Sequence, residues 1–368
     1  MIILSISKLN NKMASGPNIN VPIFVKKLNE SANCESGDLD VGECELENFK
    51  NYKNYFKFKD YKNFTIESLP IPFNKPDIVV FQDLYHVEFI QIAKELNRRN
   101  IPYTIVPRCS MTKEAQRYKK IKKVLANLLL FNKFVKNALF IHFLTENEYI
   151  ESKKAFYFRD YVVVGNGVNL PNKYYSIKER NEFQILFIGR YNVFHKGLDV
   201  LLESVLIGRE YFEEKNIKIV LYGRDSNNGL EFLEHFVLEN NLSNIIKVNG
   251  EIFGEEKERA LLDSDCFIHT SRLEGHPTSV IEAISYGIPF IVTPGTNVKN
   301  TVEDNNLGFT CELEKERVFE CIKSAYETKK DFNHISYNEI EFAKKNYDWN
   351  MISKDIIKKY KTKLQEKN

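Results

Sequence analysis

Short apolar runs, each closed by polar or glycine-containing turns, recur along this chain and alternate with longer stretches of helical periodicity. Residues 1–6, 77–82, 103–107, 138–145 and 161–164 form such runs in the first half, and 184–190, 217–223, 245–250, 266–269 and 290–293 form them in the second. Continuous apolar runs of this kind, flanked by turn residues, predict strands buried on both faces of a parallel sheet. Residues 21–28, 88–99, 229–240 and 280–286 carry helical spacing, and a further helix starts at Glu255. Strands alternating with helices predict an α/β fold of doubly wound sheets.

Two regions break the pattern. Residues 31–70 open acidic (Glu35, Asp38, Asp40, Glu43, Glu45, Glu47) and then alternate Tyr, Phe, Lys and Asn through 52–59, which suggests exposed edge strands. Residues 113–136 are the most basic stretch, with Lys113, Arg117, Lys119, Lys120, Lys122, Lys123, Lys133 and Lys136 spaced by Ile121, Val124, Leu125, Leu128, Leu129 and Phe131. That pattern forms either a solvated helix face or a basic amphipathic helix able to rest on an anionic membrane.

With 368 residues the chain exceeds what one core organises, so two domains are expected. The polar Gly165-Asn166-Gly167-Val168-Asn169 run ends the first and begins a linker. A hydrophobic content of 43% and charged content of 28% describe an ordinary globular chain, and a net charge of +2 offers no excess for nucleic acid. Six scattered cysteines without a C-x-x-C pair fit a cytoplasmic location rather than a disulfide or zinc framework. The amino terminus reads as a strand rather than a signal peptide, and no apolar run approaches the length of a membrane span.

Candidate chemistry gathers where strands end. Residues 270–283 lie between the apolar run 266–269 and a short helix that stops at Gly287 and Pro289, so they form a strand-to-helix turn. In an open parallel sheet ligands bind outside the carboxyl ends of strands, and a helix start there offers amides to an anion. Glu274 before the helix and Glu282 within it can bracket a ligand whose phosphate faces the helix end and whose hydroxyls face the acids, as in a nucleotide sugar. Ser279 and Glu282 also match a capping box, in which Glu282 would only close the helix start. Arg190, which closes the 184–190 run, and Lys196 both fall in the strand-to-helix loop there, where two cations can neutralise a diphosphate leaving group. His86 and Arg108 fall just past two first-domain strands; His86 can equally be an incidental capping residue, and Arg108 can pair with a phosphate or an acidic acceptor. Gly16 in the first strand-to-helix loop allows close backbone approach by a ligand, or is an ordinary turn glycine. Asp38-Leu39-Asp40 and Asp263-Ser264-Asp265 have a metal-binding look but sit wrongly for it, and no metal is assigned.

The decapeptide Glu-Gly-His-Pro-Thr-Ser-Val-Ile-Glu-Ala, residues 274–283, resembles the motif of the retaining glycosyltransferases of family 4. The resemblance implies a GT-B fold, two Rossmann-like domains facing across a cleft, here 1–172 for the acceptor and 173–348 for the nucleotide sugar. It implies that a helix in 349–368, carrying the one Trp, crosses back to the first domain. It assigns Arg190, Lys196 and the neighbouring Gly189 to the diphosphate, Glu282 to the ribose, and Glu274, Gly275, His276, Pro277, Thr278 and Ser279 to the donor sugar. Ile252 follows the strand whose loop lies beside the base in relatives. Relatives carry His where this chain has Arg108, and often a glycine pair where it has Ser15-Gly16. The implied activity is metal-independent and needs no cofactor: transfer of a hexosyl unit from a nucleoside diphosphate sugar, UDP-linked by preference, to a saccharide or lipid-linked saccharide at the inner face of the cell membrane, as in polysaccharide synthesis. A sugar-nucleotide epimerase and a non-catalytic peripheral membrane protein are the competing readings.

Overall fold

Thirteen strands form in the described residues, in two sheets, and every pairing between them is parallel. The structure, a computed structural model, describes residues 1–367 apart from 12–15, 43, 46–52, 62–64, 118, 273 and 276. The first sheet comprises β1 (Ile2–Ser7), β2 (Glu35–Asp40), β3 (Tyr55–Lys57), β4 (Ile78–Phe81), β5 (Tyr103–Ile105), β6 (Phe140–Phe143) and β7 (Tyr161–Val163), in the order β3-β2-β1-β4-β5-β6-β7. The second comprises β8 (Phe183–Ile188), β9 (Ile217–Tyr222), β10 (Ile246–Asn249), β11 (Cys266–His269), β12 (Phe290–Val292) and β13 (Phe309–Thr310), in the order β10-β9-β8-β11-β12-β13. In each sheet the order reverses once, between β1 and β4 and between β8 and β11. Such a reversal opens a crevice at the carboxyl ends of the two strands.

The chain divides into two units, 1–166 with 349–368, and 167–348. The division falls between residues 166 and 167, where the sequence had suggested 172 and 173. The cause is local: Val168 N donates to Tyr347 O at 2.7 Å, so the chain joins the second unit as soon as it leaves Asn166. The helix Trp349–Lys367 lies in the first unit, where Trp349, Ile356 and Tyr360 bury with Ile3, Phe24, Val25 and Val80. Among the described residues no helix is long and apolar enough to cross a membrane.

Three local expectations fail for identifiable reasons. Asp38 and Asp40 belong to β2, a buried strand beside β1, rather than to an irregular acidic stretch. Ser7 Oγ donates to Asp38 at 2.7 Å, and burial, aided by the charge of Asp40, pushes the Asp38 carboxyl up to about 8, so the strand buries a largely neutral acid. Asp40 accepts from the amides of Leu9 and Gly42 and from the Tyr55 hydroxyl. The first helix runs Gly16–Glu30, starting five residues ahead of the 21–28 expected from spacing, and Asn18 and Asn10 bond each other side chain to backbone in both directions near its start. Residues 113–136 are not one helix but Lys113–Arg117, Lys120–Ala126, a π turn at Asn127–Phe131 and Asn132–Asn137. Lys119, left-handed at φ 52°, breaks the first from the second.

Inside the first unit, His142 on β6 joins the sheet to the last helix: its Nδ1 accepts from Tyr360 Oη at 2.7 Å and its Nε2 donates to Val164 O at 2.8 Å. An accepting Nδ1 beside a donating Nε2 is the pattern of the neutral ring. Burial lowers its pKa to about 4 against the pull of the Val164 carbonyl. A His depressed in the folded state loses stability as pH falls from its unfolded value of roughly 6.5, since only the unfolded chain takes up the proton there. Acidification from pH 7 to 4 is therefore expected to remove about 3 kcal/mol through His142. Urea unfolding of wild type and His142→Gln at the two pH values should show that loss shrinking in the variant, and equal losses would exclude His142 as its source.

Candidate active site

The reversal in the second sheet, between β8 and β11, gathers a set of buried polar groups. β8 leads into Gly189 and Arg190; β11 ends at His269 and leads into Thr270 and Ser271, these three fully buried. A one-turn helix, Val193–Lys196, follows β8, capped by Asn192 Oδ1 accepting from His195 N at 3.0 Å. Gly197 ends it at φ 60°, and a Cβ there would stand 1.9 Å from Thr270 O, so only glycine lets the backbone pass the end of β11 this closely. Thr270 Oγ1 clasps the crossing by donating to Lys196 O at 3.0 Å. Arg272 locks the other side with two bonds to Asp199, at 2.7 and 2.8 Å, and one to Phe194 O at 2.8 Å.

These constraints deliver Lys196 Nζ to Glu274 Oε1, in an ion pair with both side chains largely buried. The same oxygen accepts from Ser271 Oγ at 2.8 Å and from His269 Nε2 at 3.0 Å. The Glu274 backbone is held as well, its amide donating to Gly295 O at 2.8 Å and its carbonyl accepting from Asn297 Nδ2. Burial alone would raise the Glu274 carboxyl, but the His269 bond and the Lys196 charge outweigh it and hold the group well below the usual carboxylate range. His269 shifts down, through burial first and Lys196 second, against Glu274. Its Nε2–H donates to Glu274 and its Nδ1 has no hydrogen-bond partner among the described residues. The ring stacks on Phe187 at 5.3 Å and 11°. Gly189 makes room for that stack, since a Cβ would stand 2.9 Å from Phe187 Cζ and 3.5 Å from His269 Cε1.

The other residues singled out in the sequence divide into groups. Arg190 is exposed, and no ion pair holds its side chain among the described residues. Gly275 is half-buried, Pro277 buried, and Ile252 is 5% exposed in the loop after β10. The helix Thr278–Tyr286 begins with Pro277 as its cap, so Ser279 sits inside its first turn and makes no capping box with Glu282. Glu282 pairs with Lys257 at 2.5 Å instead. Thr278 and Ser279 stand at the open amide end of that helix. His276 lies outside the described residues, as does Ser15. Asp265 accepts from Arg180 Nη2 at 2.5 Å and from Gln184 N at 2.7 Å, a structural role. Among the described residues no three His, Cys, Asp or Glu side chains cluster as a metal ion requires.

In the first unit, His86 precedes the helix Val87–Arg98 without a side-chain cap bond, its Nε2 3.7 Å from Asp83 Oδ2. Arg108, at φ 49°, turns inward: its Nη2 donates to Gln82 Oε1 at 2.7 Å and its Nε has no partner among the described residues. Gly16 is the first residue of its helix. The sequence assigns no role to His269 and Lys257, and it marks Ser271 only as part of the 270–283 turn and Asn297 only as part of a candidate turn at 295–297 near the site. A His closing an otherwise apolar run beside the sheet reversal was the available signal for the first.

The profile of the Glycosyl transferases group 1 family matches residues 174–342, the segment that holds all of these second-unit groups. The second unit is similar to the group 1 glycosyltransferases over nearly its whole length. An uncharacterized glycosyltransferase of Haemophilus influenzae is 30% identical over 173 residues, 46% of this chain and 46% of the relative, so the match spans about half the length of that protein. Among solved structures, Anabaena HepE in complex with UDP and glucose superposes with a TM-score of 0.76 at 15% identity, covering 98% of this chain and 100% of HepE. A sucrose-phosphate synthase from Thermosynechococcus elongatus gives 0.76 at 14%, covering 98% and 99%. The lipopolysaccharide outer core galactosyltransferase WaaB gives 0.67 at 14%, covering all of both chains. These likenesses establish the fold, which is GT-B as the decapeptide implied.

The buried pair makes a stability prediction for the second unit. Removing one partner leaves an uncompensated buried charge, so Glu274→Ala is expected to cost about 3–5 kcal/mol. Arg190→Ala, at an exposed position, should change stability by about 0.5 kcal/mol or less. Urea unfolding of the two variants checks the contrast, and equal effects would show that the pair is not what holds this turn.

Proposed function

We propose that the chain transfers a hexosyl unit, with retention, from a nucleoside diphosphate sugar, UDP-linked by preference, to a saccharide or lipid-linked saccharide acceptor. The observation that carries this reading is the buried Lys196–Glu274–His269–Ser271 cluster at the sheet reversal of a unit similar to the group 1 glycosyltransferases, with the exposed Arg190 beside it in sequence and the helix Thr278–Tyr286 after it. Structures with this fold include HepE with UDP-glucose, which supports a UDP-sugar here. Arg190 and Lys196 bind the diphosphate, Glu282 takes the ribose hydroxyls, and Glu274 with the first amides of the helix orients the sugar.

In the reaction the anomeric C–O bond to the diphosphate breaks and its electron pair leaves on the phosphate oxygen. The acceptor oxygen bonds the anomeric carbon on the same face, and its proton passes to the departing phosphate. What the protein supplies is charge at the leaving group and a fixed sugar. A diphosphate arriving at Lys196 meets a cation already held by Glu274, so the lysine is positioned before the ligand comes. No metal or further cofactor is invoked. Synthesis of a surface polysaccharide from the cytoplasmic side of the membrane is the setting that a lipid-linked acceptor would give.

A panel of UDP-, GDP- and ADP-sugars, scored for nucleotide release with and without glycan acceptors, tests the reading; a chain that neither binds nor turns over any of them refutes it. Arg190→Ala and Lys196→Ala should each weaken UDP binding by about ten- to a hundred-fold, the loss of one hydrogen bond to a charged group. Calorimetric titration with UDP measures this, and wild-type affinity in both variants would remove their assigned role.

A further inference from the structure

The broken helix of the first unit presents its apolar residues the wrong way for a soluble surface. Phe131, Phe134 and Val135 face the core, as expected. On the other side Ile121 is 79% exposed, Leu125 56%, Leu128 70% and Leu129 77%, with Val124 at 46%. A surface helix normally puts charged residues there. The five aliphatics recur at the spacing of one helix face, and contiguous apolar surface of this kind marks an interaction site. The π turn Asn127–Phe131 carries two of them and is tied down: Asn127 Oδ1 accepts from Tyr85 Oη at 2.9 Å and its Nδ2 donates to Gln116 at 3.0 Å. Leu128 and Leu129 are thus held outward by hydrogen bonds beneath them.

Charge decides what covers this face. From residue 115 to 145 the chain has no acidic residue, while Arg117, Lys119, Lys120, Lys122, Lys123, Lys133 and Lys136 are all basic. Lys120, Lys122, Lys133 and Lys136 are exposed and, among the described residues, in no ion pair. Two copies of the chain meeting here would set like charges against each other, whereas an anionic lipid surface offers charge of the opposite sign and a hydrocarbon layer for the leucines. Beside the leucines lies a groove of about 200 Å³, lined by Ile90, Tyr103, Leu129, Leu130 and Phe134, with Lys94 and Lys133 also on its wall. Tyr103 ties up its hydroxyl by donating to Phe134 O at 2.7 Å, and Asn97 and Asn137 complete a wall that is mostly apolar.

We propose that the face formed by Ile121, Val124, Leu125, Leu128 and Leu129 docks on an anionic lipid bilayer, its lysines on the headgroups and the groove beside Leu129 receiving a lipid hydrocarbon chain. This deepens the lipid-linked acceptor of the reading above. It needs none of the second unit's chemistry, so UDP titration of the same protein separates failure of the docking from failure of the donor site.

The full chain is sedimented with vesicles of phosphatidylcholine alone and of phosphatidylcholine with phosphatidylglycerol. Binding is expected only to the latter, falling as salt is raised. Leu128→Glu combined with Leu129→Glu should lower it more than ten-fold with UDP binding unchanged, and each of Lys120→Ser and Lys122→Ser by about five-fold at low salt. Since Trp349 is 1% exposed, Leu128→Trp adds a surface reporter over a constant background, and its emission should shift to the blue on anionic vesicles. The proposal is overturned by absence of binding to those vesicles, by binding that survives the double glutamate substitution, by an unshifted Leu128→Trp emission in the bound state, or by a dimer in solution that the double substitution dissolves.

Discussion

Lys196 and Glu274 hold each other in a place where neither could be left alone. Both side chains are mostly out of water, and the turn carrying Glu274 has little regular structure to stiffen it. A buried ion pair adds little net stability over an apolar contact, because desolvation consumes most of the attraction. What it fixes is position. The lysine comes from the turn after β8, the glutamate from the turn after β11, and His269 and Ser271 close the remaining directions around one carboxylate oxygen. The glycine at 197, the Thr270 clasp and the Arg272–Asp199 pair all make sense as devices that bring the two turns together.

Much of this fold was legible because a doubly wound sheet writes its strands as continuous apolar runs. β4, β6 and β11 are buried at every position and stood out at once. β2 did not, because Glu35-Ser36-Gly37-Asp38-Leu39-Asp40 has the composition of a loop. It is a strand because Ser7 on β1 donates to Asp38, the Leu9 amide donates to Asp40, and burial keeps Asp38 largely neutral. None of those partners is near in sequence. The same limit applies to residues 113–136, whose periodicity reads as a single helix until the left-handed Lys119 and the π turn interrupt it.

The site divides along similar lines. The acids and cations could be named because charged residues at strand ends are conspicuous, but their pairing could not be foreseen. Lys196 meets Glu274 and Glu282 meets Lys257, two contacts that depend on how the elements stack. The capping box suggested by Ser279 and Glu282 fails by two residues of register: Pro277 takes the cap, and Glu282 reaches Lys257 on another helix instead. His269 was hidden by its neighbours, since a ring at the end of an apolar run looks like part of the core. It is core, stacked on Phe187, and at the same time a donor to Glu274.

The helix Trp349–Lys367 has a consequence for how the protein is made. The first unit's core includes Trp349, Ile352, Ile356 and Tyr360, residues that follow the whole of the second unit in the chain. Synthesis proceeds from the amino terminus and domains fold as units, so the second unit can complete its core first, although it is encoded later than most of the first. Until the last helix emerges, the groove that will take Trp349 beside Phe24 and Val80 stands open and apolar. The first unit is thus begun first and finished last, and its exposure during synthesis lasts as long as the second unit takes to be made.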